Sequence, residues 1–290
     1  MPKFRALSLF VLAAACLSTC LGLARRPSAA SAAPIESEPS KKTTVEPVPV
    51  PVAAYGTIKG RLVWKDGAYP PPKILVKKGD AAVQNAAVCA VENITSRALI
   101  VEPKTRGIKN GLAYLVKPNG TNPDLEKSIL AKTPKVIIDQ KNCVFTPYVS
   151  AMMKSQSLVF TSQDSVNHNV HGSGFNNAFN RAVGQGQELA VQPLAERLPL
   201  RVVCDIHGWM KCFIGIYDHP FFAVTGDDGS FEIQGVPAGK QNIVVWQELQ
   251  GFVTPGFARG KAIEVPAGGV VDVGDVAIDS AKVTEAIKKE

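Results

Sequence analysis

The sequence predicts an all-β protein made of packed sheets of short strands. From Tyr55 onward, almost every hydrophobic segment is short, rich in β-branched residues and bounded by Gly, Pro, Asn or Asp. That pattern is typical of strands joined by tight turns. Helical signals are weak and are confined to residues 122–132 and 279–290. The regular spacing of strands and turns favours a β-sandwich architecture.

The predicted strands run through the chain from the end of a proline-rich stretch almost to the C-terminus. They cover residues 57–64, 98–101, 111–116, 135–139, 143–149, 157–161, 169–171, 188–191, 198–204, 213–217, 223–225, 230–233, 241–246 and 269–277. With 46% hydrophobic and 20% charged residues, the 290-residue chain has the composition of a globular protein and room for two domains.

Residues 1–33 have the order of a secretory signal peptide. Lys3 and Arg5 precede an uncharged run over 6–24, and small residues follow at 30–33. We therefore expect export to a periplasm or cell surface. Two alternatives remain open. Cys20 lies in a sequence that loosely resembles a lipoprotein cleavage site, and the run is just long enough for a retained membrane anchor.

Residues 34–54 are proline-rich, polar and poor in aromatic residues, which is typical of an extended linker. The linker would suit a membrane tether or a plain flexible N-terminus. Without the four basic residues of the leader, 28 Lys and Arg remain against 25 acidic residues, a net charge of +3. This small excess, with no basic run containing interleaved aromatic residues, predicts no nucleic-acid binding.

The stretch from Arg201 to Cys212 carries the strongest chemical signal. A hydrophobic run leads into Cys204, and His207 and Met210 follow at three-residue spacing. Thiolate, imidazole and thioether are the ligands of a type 1 copper site, which needs one more imidazole. His168 lies upstream and supplies it. We therefore predict one mononuclear copper site formed by His168, Cys204, His207 and Met210.

Two features leave the copper site open to question at the level of sequence. His171 is a rival to His168, but in a strand the two side chains would face opposite sides. The chain after the leader has four cysteines, and Cys204 could instead form a disulfide with Cys212 across a tight loop. If Cys204 binds copper, then Cys89 and Cys143 remain as the natural disulfide and Cys212 is left free.

Two segments of the sequence resemble the first and second halves of a cupredoxin. The first runs from the strand Phe145-Thr146-Pro147-Tyr148-Val149 to the pair His168-Asn169, and the second is Cys204-x-x-His207-x-x-Met210 followed by a strand. The short gap before Met210 is similar to that of amicyanin. The resemblance covers residues 103–218 and implies a Greek-key sandwich. It also implies that Asn169 ties the ligand loops together and that the edge of His207 reaches the surface.

The flanking segments resemble a carboxypeptidase-regulatory-like (transthyretin-like) sandwich. Residues 225–233 and 236–239 are similar to its second half, and 56–60 and 111–115 to strands of its first half. We therefore expect this smaller sandwich to contain residues 55–102 and 219–278, with the cupredoxin inserted into it and a polar tail at 279–290. The whole is similar to secreted cupredoxin-like proteins labelled methylamine utilisation proteins.

These patterns predict an exported single-electron carrier that docks with redox partner proteins. No Gly-x-Ser-x-Gly, phosphate-loop, HExxH or CxxC motif is present, so the sequence predicts no enzyme. One alternative is a copper-free surface module closed by a Cys204–Cys212 disulfide. Another is a copper storage or delivery protein that uses the same ligands.

Overall fold

A computed structural model describes residues 55–289 and confirms the predicted all-β class. The predicted signal peptide at 1–33 and linker at 34–54 lie outside the described residues. Within 55–289, none of the helices has the length and apolar character that a membrane crossing requires.

Within residues 55–289 the strands are short, and three α-helices and one 3-10 helix (Phe257–Arg259) interrupt them. The strands are β1 (Tyr55–Val63), β2 (Ile74–Val76), β3 (Ile94–Thr95), β4 (Ile100–Val101), β5 (Ile108–Lys109), β6 (Leu112–Leu115), β7 (Lys135–Lys141), β8 (Val144–Thr146), β9 (Val149–Met153), β10 (Ser157–Ser162), β11 (His168–Ser173), β12 (Ala178–Val183), β13 (Glu188–Val191), β14 (Leu200–Val203), β15 (Lys211–Tyr217), β16 (Phe222–Val224), β17 (Ser230–Pro237), β18 (Gly239–Gln247), β19 (Gly251–Phe252), β20 (Lys261–Val265) and β21 (Val270–Ala277). The helices are α1 (Ala86–Cys89), α2 (Pro123–Lys132) and α3 (Ser280–Lys288).

Strands β7 to β15 form one sandwich, which holds the predicted ligands. One sheet has the order β13-β10-β7-β8 and the other β12-β11-β14-β15-β9. Their facing side chains form a closed apolar core that includes Phe145, Phe160, Val170 and Ile214. Alternating buried positions on strands of opposite sheets produce this layer, and it fixes the ends of β11 and β14 relative to each other.

Strands on either side of that sandwich pair with each other to form a second one. Its sheets have the orders β17-β1-β21 and β16-β6-β18-β19, with β20 also paired to β18. Strand β6 falls inside the range 103–218 that the sequence suggested for the cupredoxin, yet it pairs with β16 and β18. The sandwich that holds the ligands is therefore narrower than the predicted range.

The two sandwiches share an aromatic contact. Phe213 of β15 packs against Trp246 of β18 with ring centroids 5.4 Å apart, and Tyr217 lies 4.7 Å from Tyr114. A polar contact joins the same surfaces, where the Lys211 ammonium lies 2.5 Å from the carboxylate of Glu248. Residues from both parts therefore form one continuous apolar cluster at the interface.

Two differences from the predicted strands have local causes. The predicted strand at 143–149 is divided into β8 and β9, because the chain changes sheets there: β8 pairs with β7 in one sheet and β9 pairs with β15 in the other. Strand β12 was missed because most of its residues face solvent, so it lacks the hydrophobic alternation that marks a half-buried strand.

The helices α2 and α3 lie where the weak helical signals were. Asn122 begins α2 by accepting a hydrogen bond from the Leu125 N–H, and Asp279 begins α3 in the same way through Lys282 N–H. Helix α1 was not predicted, because four residues are too few to show a helical period.

The cysteines are arranged as the copper hypothesis requires. Cys89 and Cys143 form a disulfide, whereas Cys204 and Cys212 are free and buried. The alternative bridge between Cys204 and Cys212 does not form.

Candidate metal centre

The predicted ligands meet where two neighbouring strands end. His168 is the first residue of β11, and Cys204 directly follows β14, which pairs with β11 in antiparallel register. The loop from Cys204 to β15 is closed by a 3.2 Å hydrogen bond from Cys204 N–H to the Met210 carbonyl. In a further turn, the Met210 N–H donates to the His207 carbonyl at 2.9 Å. This turn folds His207 back over Cys204.

Three donor atoms of these residues form a small triangle. The Nδ1 atoms of His168 and His207 are 3.0 Å apart. The sulfur of Cys204 lies 4.0 Å from Nδ1 of His168 and 3.7 Å from Nδ1 of His207. A point equidistant from the three atoms lies about 2.1 Å from each, close to the lengths of metal–nitrogen and metal–sulfur bonds in protein sites. The triangle therefore has the size of a trigonal metal site.

Hydrogen bonds on the far side of each ring orient the imidazoles. Nε2 of His168 lies 2.9 Å from the carboxylate of Asp164, and Nε2 of His207 lies 3.0 Å from the side-chain oxygen of Asn85. Because an ionised carboxylate and an amide oxygen can only accept, both Nε2 atoms carry the proton. Each Nδ1 therefore directs its lone pair, or an exchangeable proton, towards the centre of the triangle.

The 3.0 Å separation of the two Nδ1 atoms is that of a hydrogen bond, so a proton lies between them. Burial and the nearby charge of His168 lower the pKa of His207 to about 4. Burial alone would lower the pKa of His168, but hydrogen bonds with Cys204 and Asp164 raise it. Burial would raise the pKa of Cys204, but hydrogen bonding with His168 and backbone N–H groups lowers it. A cation in the triangle would replace that proton.

Asn169 joins the two ligand segments, as the resemblance implied. Its side-chain oxygen accepts a hydrogen bond from the thiol of Cys204 at 3.3 Å and from Asp205 N–H at 2.8 Å. Both donors belong to the start of the ligand loop, so these two hydrogen bonds hold the loop against β11. This contact fixes the position of the Cys204 sulfur relative to His168.

Met210 and His171 occupy different environments. Met210 is 1% exposed and packs in the same apolar cluster as Cys204, at the far end of the ligand loop. His171 lies on the opposite face of β11, is partly exposed and pairs with Asp205 at 2.9 Å. The structure therefore places His168, and not His171, beside Cys204.

The exposure predicted for His207 is wrong. The resemblance implied that its ring edge would reach the surface, but His207 is 0% exposed. Its Nε2 atom is covered by Asn85, from a segment that the sequence assigned to the other sandwich. Nearby, the ring of Trp209 lies 5.2 Å from that of His207.

Two residues of the site were missed by the sequence reasoning. Asp164 accepts backbone hydrogen bonds from Asn142 and Cys143 at 2.7 and 2.8 Å while contacting His168. A carboxylate four residues before a candidate ligand histidine was a usable signal, since ligand imidazoles commonly donate to carboxylates. Asn85 had no such signal, because it is 122 residues from His207.

The donor set suits a soft or borderline metal ion. Two neutral imidazole nitrogens and one thiolate, with a thioether packed nearby, match the preferences of copper better than those of hard cations. The residues present therefore fit the predicted ion. His168, Cys204 and His207 would hold copper, and copper bound there would supply a one-electron redox couple.

Fold and site together define an all-β protein with a buried His₂Cys donor triangle. No family model and no curated protein matches the chain. Among solved structures, the chain is similar to a Cu-containing nitrite reductase (NirK) from Thermus scotoductus SA-01, with TM-score 0.27, 18% identity and coverage of 29% of this chain and 22% of that chain. The chain thus spans about a fifth of that reductase.

Two smaller proteins are also similar over part of the chain. A mutant of amicyanin in its reduced Cu(I) form matches with TM-score 0.26 and 13% identity, covering 28% of this chain and 81% of that one. A purple cupredoxin from Nitrosopumilus maritimus matches with TM-score 0.25 and 18% identity, covering 28% and 97%.

Proposed function

We propose that this protein is a type 1 copper protein that carries single electrons. His168, Cys204 and His207 would hold the ion in a trigonal arrangement, and Met210 would act as a weak axial ligand. One observation carries the proposal. Two imidazole nitrogens and a thiol sulfur form a triangle with edges of 3.0, 3.7 and 4.0 Å inside the fold.

The fixed donors support electron transfer rather than simple metal capture. Asp164 and Asn169 hold His168 and Cys204 through hydrogen bonds, and Asn85 holds His207. A site whose ligands are held by the protein changes little in geometry between Cu(I) and Cu(II). A small rearrangement favours rapid electron exchange with a partner.

The proposal includes no catalytic step. All four candidate ligands are at most 1% exposed, which supports a role in which electrons, rather than a substrate, reach the ion. The partners we expect are redox proteins. The two sandwiches share an apolar interface, and we assign the second to the regulatory-like class that its sequence resembles.

We also propose that the protein works outside the cytoplasm. The Cys89–Cys143 disulfide supports export, because such bonds persist in oxidising compartments. The leader at residues 1–33 supports the same location. Whether the leader is cleaved, lipidated or retained can be read from the mass of the N-terminal peptide.

A potentiometric titration of the copper-loaded protein tests the carrier function. We expect one reversible one-electron couple, with full recovery of the Cu(II) spectrum after reduction and reoxidation. Cys212→Ala serves as a control, because it removes the other free buried cysteine and leaves the triangle intact. Copper that stays Cu(I) under mild oxidants would favour storage or delivery and contradict the carrier proposal.

A further inference from the structure

A loop from outside the ligand sandwich covers the His207 side of the site. We call residues 77–93 the cap; it lies between the paired strands β2 and β3. Its two ends are joined by hydrogen bonds from Lys78 N–H to the Asn93 side chain and from Gly79 N–H to the Ala90 carbonyl, both 2.8 Å. The cap is therefore a closed loop.

The cap is fastened directly beside the metal-binding residues. Cys89 at the end of α1 forms the disulfide with Cys143, and sulfur atoms of both lie within 4.8 Å of a His207 ring nitrogen. Val83 and Val88 pack against the apolar cluster that contains Cys204. The disulfide and these apolar contacts hold the cap against the ligand loop.

Asn85 has an unusual conformation and an unusual partner. Its backbone lies in the left-handed region, with φ 58° and ψ 38°, just before α1. An Asn at that position commonly caps the helix with its side-chain oxygen, but Asn85 makes no such cap. Its oxygen instead contacts Nε2 of His207 at 3.0 Å. The Asn85 side chain thus contacts the candidate metal site and leaves α1 without a side-chain cap.

We propose that Asn85 is a positioning residue for the metal centre. It accepts the Nε2 proton of His207, holds Nδ1 as the free donor, and with the rest of the cap closes the ring edge to external ligands. This inference deepens the proposed function and rests on it for its biological meaning. The contact itself can be tested without copper.

The decisive variants are Asn85→Gly and Asn85→Asp. Glycine adopts a positive φ without strain, so Asn85→Gly removes the amide and keeps the backbone. Asn85→Asp keeps an acceptor. The control is Asn110→Gly, which replaces another asparagine at positive φ, 67°, in the second sandwich. Circular dichroism and retention of the Cys89–Cys143 disulfide identify variants that remain folded.

Two measurements test the proposed positioning of His207 by Asn85. In the metal-free protein, long-range ¹H–¹⁵N spectra should show His207 protonated on Nε2 in the wild type, in Asn85→Asp and in Asn110→Gly. Asn85→Gly should show a mixture of tautomers. Zinc(II) affinity, measured by competition with a chromophoric chelator, should fall about 10- to 100-fold in Asn85→Gly, the usual effect of removing a partner of a ligand histidine.

Asn85→Gly with an unchanged tautomer and unchanged zinc affinity would overturn the inference. A wild-type His207 protonated on Nδ1 would do the same. If instead the tautomer and zinc affinity change as expected but the wild type gives no thiolate-to-copper absorption, the positioning role stands and the electron-carrier proposal fails. The positioning role of Asn85 and the electron-carrier function can therefore be refuted independently.

Discussion

At the scale of single residues, the candidate site depends on groups that hydrogen-bond to the candidate ligands. Asp164 accepts hydrogen bonds from two backbone N–H groups and contacts His168. Asn169 accepts hydrogen bonds from the thiol of Cys204 and from the N–H of Asp205. Because each joins a ligand to a separate backbone segment, these contacts turn separate loops into one rigid donor set.

Replacing Asp164 with Ala should weaken both metal binding and folding. The partly buried N–H of Asn142 and the buried N–H of Cys143 would lose their acceptor, which should lower the free energy of unfolding by about 2 to 3 kcal/mol. Zinc affinity should fall about 10- to 100-fold. Urea denaturation and chelator competition measure these effects.

Asp139→Ala provides the matched control for Asp164. Its carboxylate also accepts side-chain hydrogen bonds, from Thr161 and Gln163 on the same sandwich, but it does not contact His168. We expect its zinc affinity to remain within about threefold of the wild type, because its hydrogen-bond partners Thr161 and Gln163 are not candidate ligands. Equal losses of affinity in both variants would contradict the role of Asp164.

Replacing Met210 with Leu tests its proposed role as the axial ligand. The two side chains have similar volumes, so the free energy of unfolding should change by less than about 1.5 kcal/mol. The reduction potential should rise, because Cu(II) loses more than Cu(I) when a fourth donor is removed. Met152→Leu, in the same core cluster, should leave the potential unchanged. Identical potentials in both variants would exclude Met210 as a ligand.

At the scale of elements, the cap and the ligand loop act together. The disulfide joins residues 54 positions apart and fixes α1 against the turn between β7 and β8. Asn142 and Cys143 in that turn have positive φ values and donate to Asp164. One short turn thus supports the cap through a covalent bond and His168 through a carboxylate.

Removing the disulfide with Cys89→Ala/Cys143→Ala should destabilise the protein. A cross-link over a loop of this length lowers the entropy of the unfolded chain, and its loss should cost about 4 kcal/mol. Urea denaturation of the double variant measures the change. Cys212→Ala also removes buried sulfur but no cross-link, and should cost clearly less. A double variant as stable as Cys212→Ala would contradict this view of the cap.

Sequence periodicity predicted the strands near the site but not the cap. Strands such as β10 and β13 show hydrophobic runs between turn residues, and the Cys204-x-x-His207-x-x-Met210 spacing identified the ligand loop. The cover over His207 depends on a contact between residues 122 positions apart. No local pattern encodes such a contact, which is why the predicted surface exposure of His207 was wrong.

At the scale of the whole molecule, a polar contact fixes the two sandwiches relative to each other. Glu248 follows β18 of the second sandwich and contacts both Lys211 and the hydroxyl of Tyr148 of the first. The side chains of Lys211 and Glu248 are 17% and 10% exposed. At that degree of burial, the pair is shielded from solvent more than a surface ion pair is.

Glu248→Ala should lower the free energy of unfolding by about 3 kcal/mol, because it removes the carboxylate that both the Lys211 ammonium and the Tyr148 hydroxyl contact at a position shielded from solvent. Glu188→Ala is the control, since its pair with Lys135 is about half exposed and should contribute less than about 1 kcal/mol. Urea denaturation compares the two. Equal effects would show that the contact between the sandwiches adds no particular stability.

The sequence predicted two sandwiches, and one strand inside the predicted range 103–218 pairs with strands outside that range. Residues 111–115 were recognised as similar to the regulatory-like module, yet they fell inside the range 103–218. Their partners β16 and β18 lie more than 100 residues later in the chain. Strand pairing over such distances is decided by the packed core, which a linear pattern does not contain.

If Cys204 binds copper as a thiolate, as we propose, a visible absorption spectrum will show it. Residues 34–290 would be titrated with Cu(II) without reductant, beside Cys204→Ser and Cys212→Ala. We predict an intense thiolate-to-copper band towards the red end of the spectrum in the wild type and Cys212→Ala, reaching its maximum at one equivalent and absent in Cys204→Ser. A colourless wild type, or a band that survives in Cys204→Ser, would contradict the account.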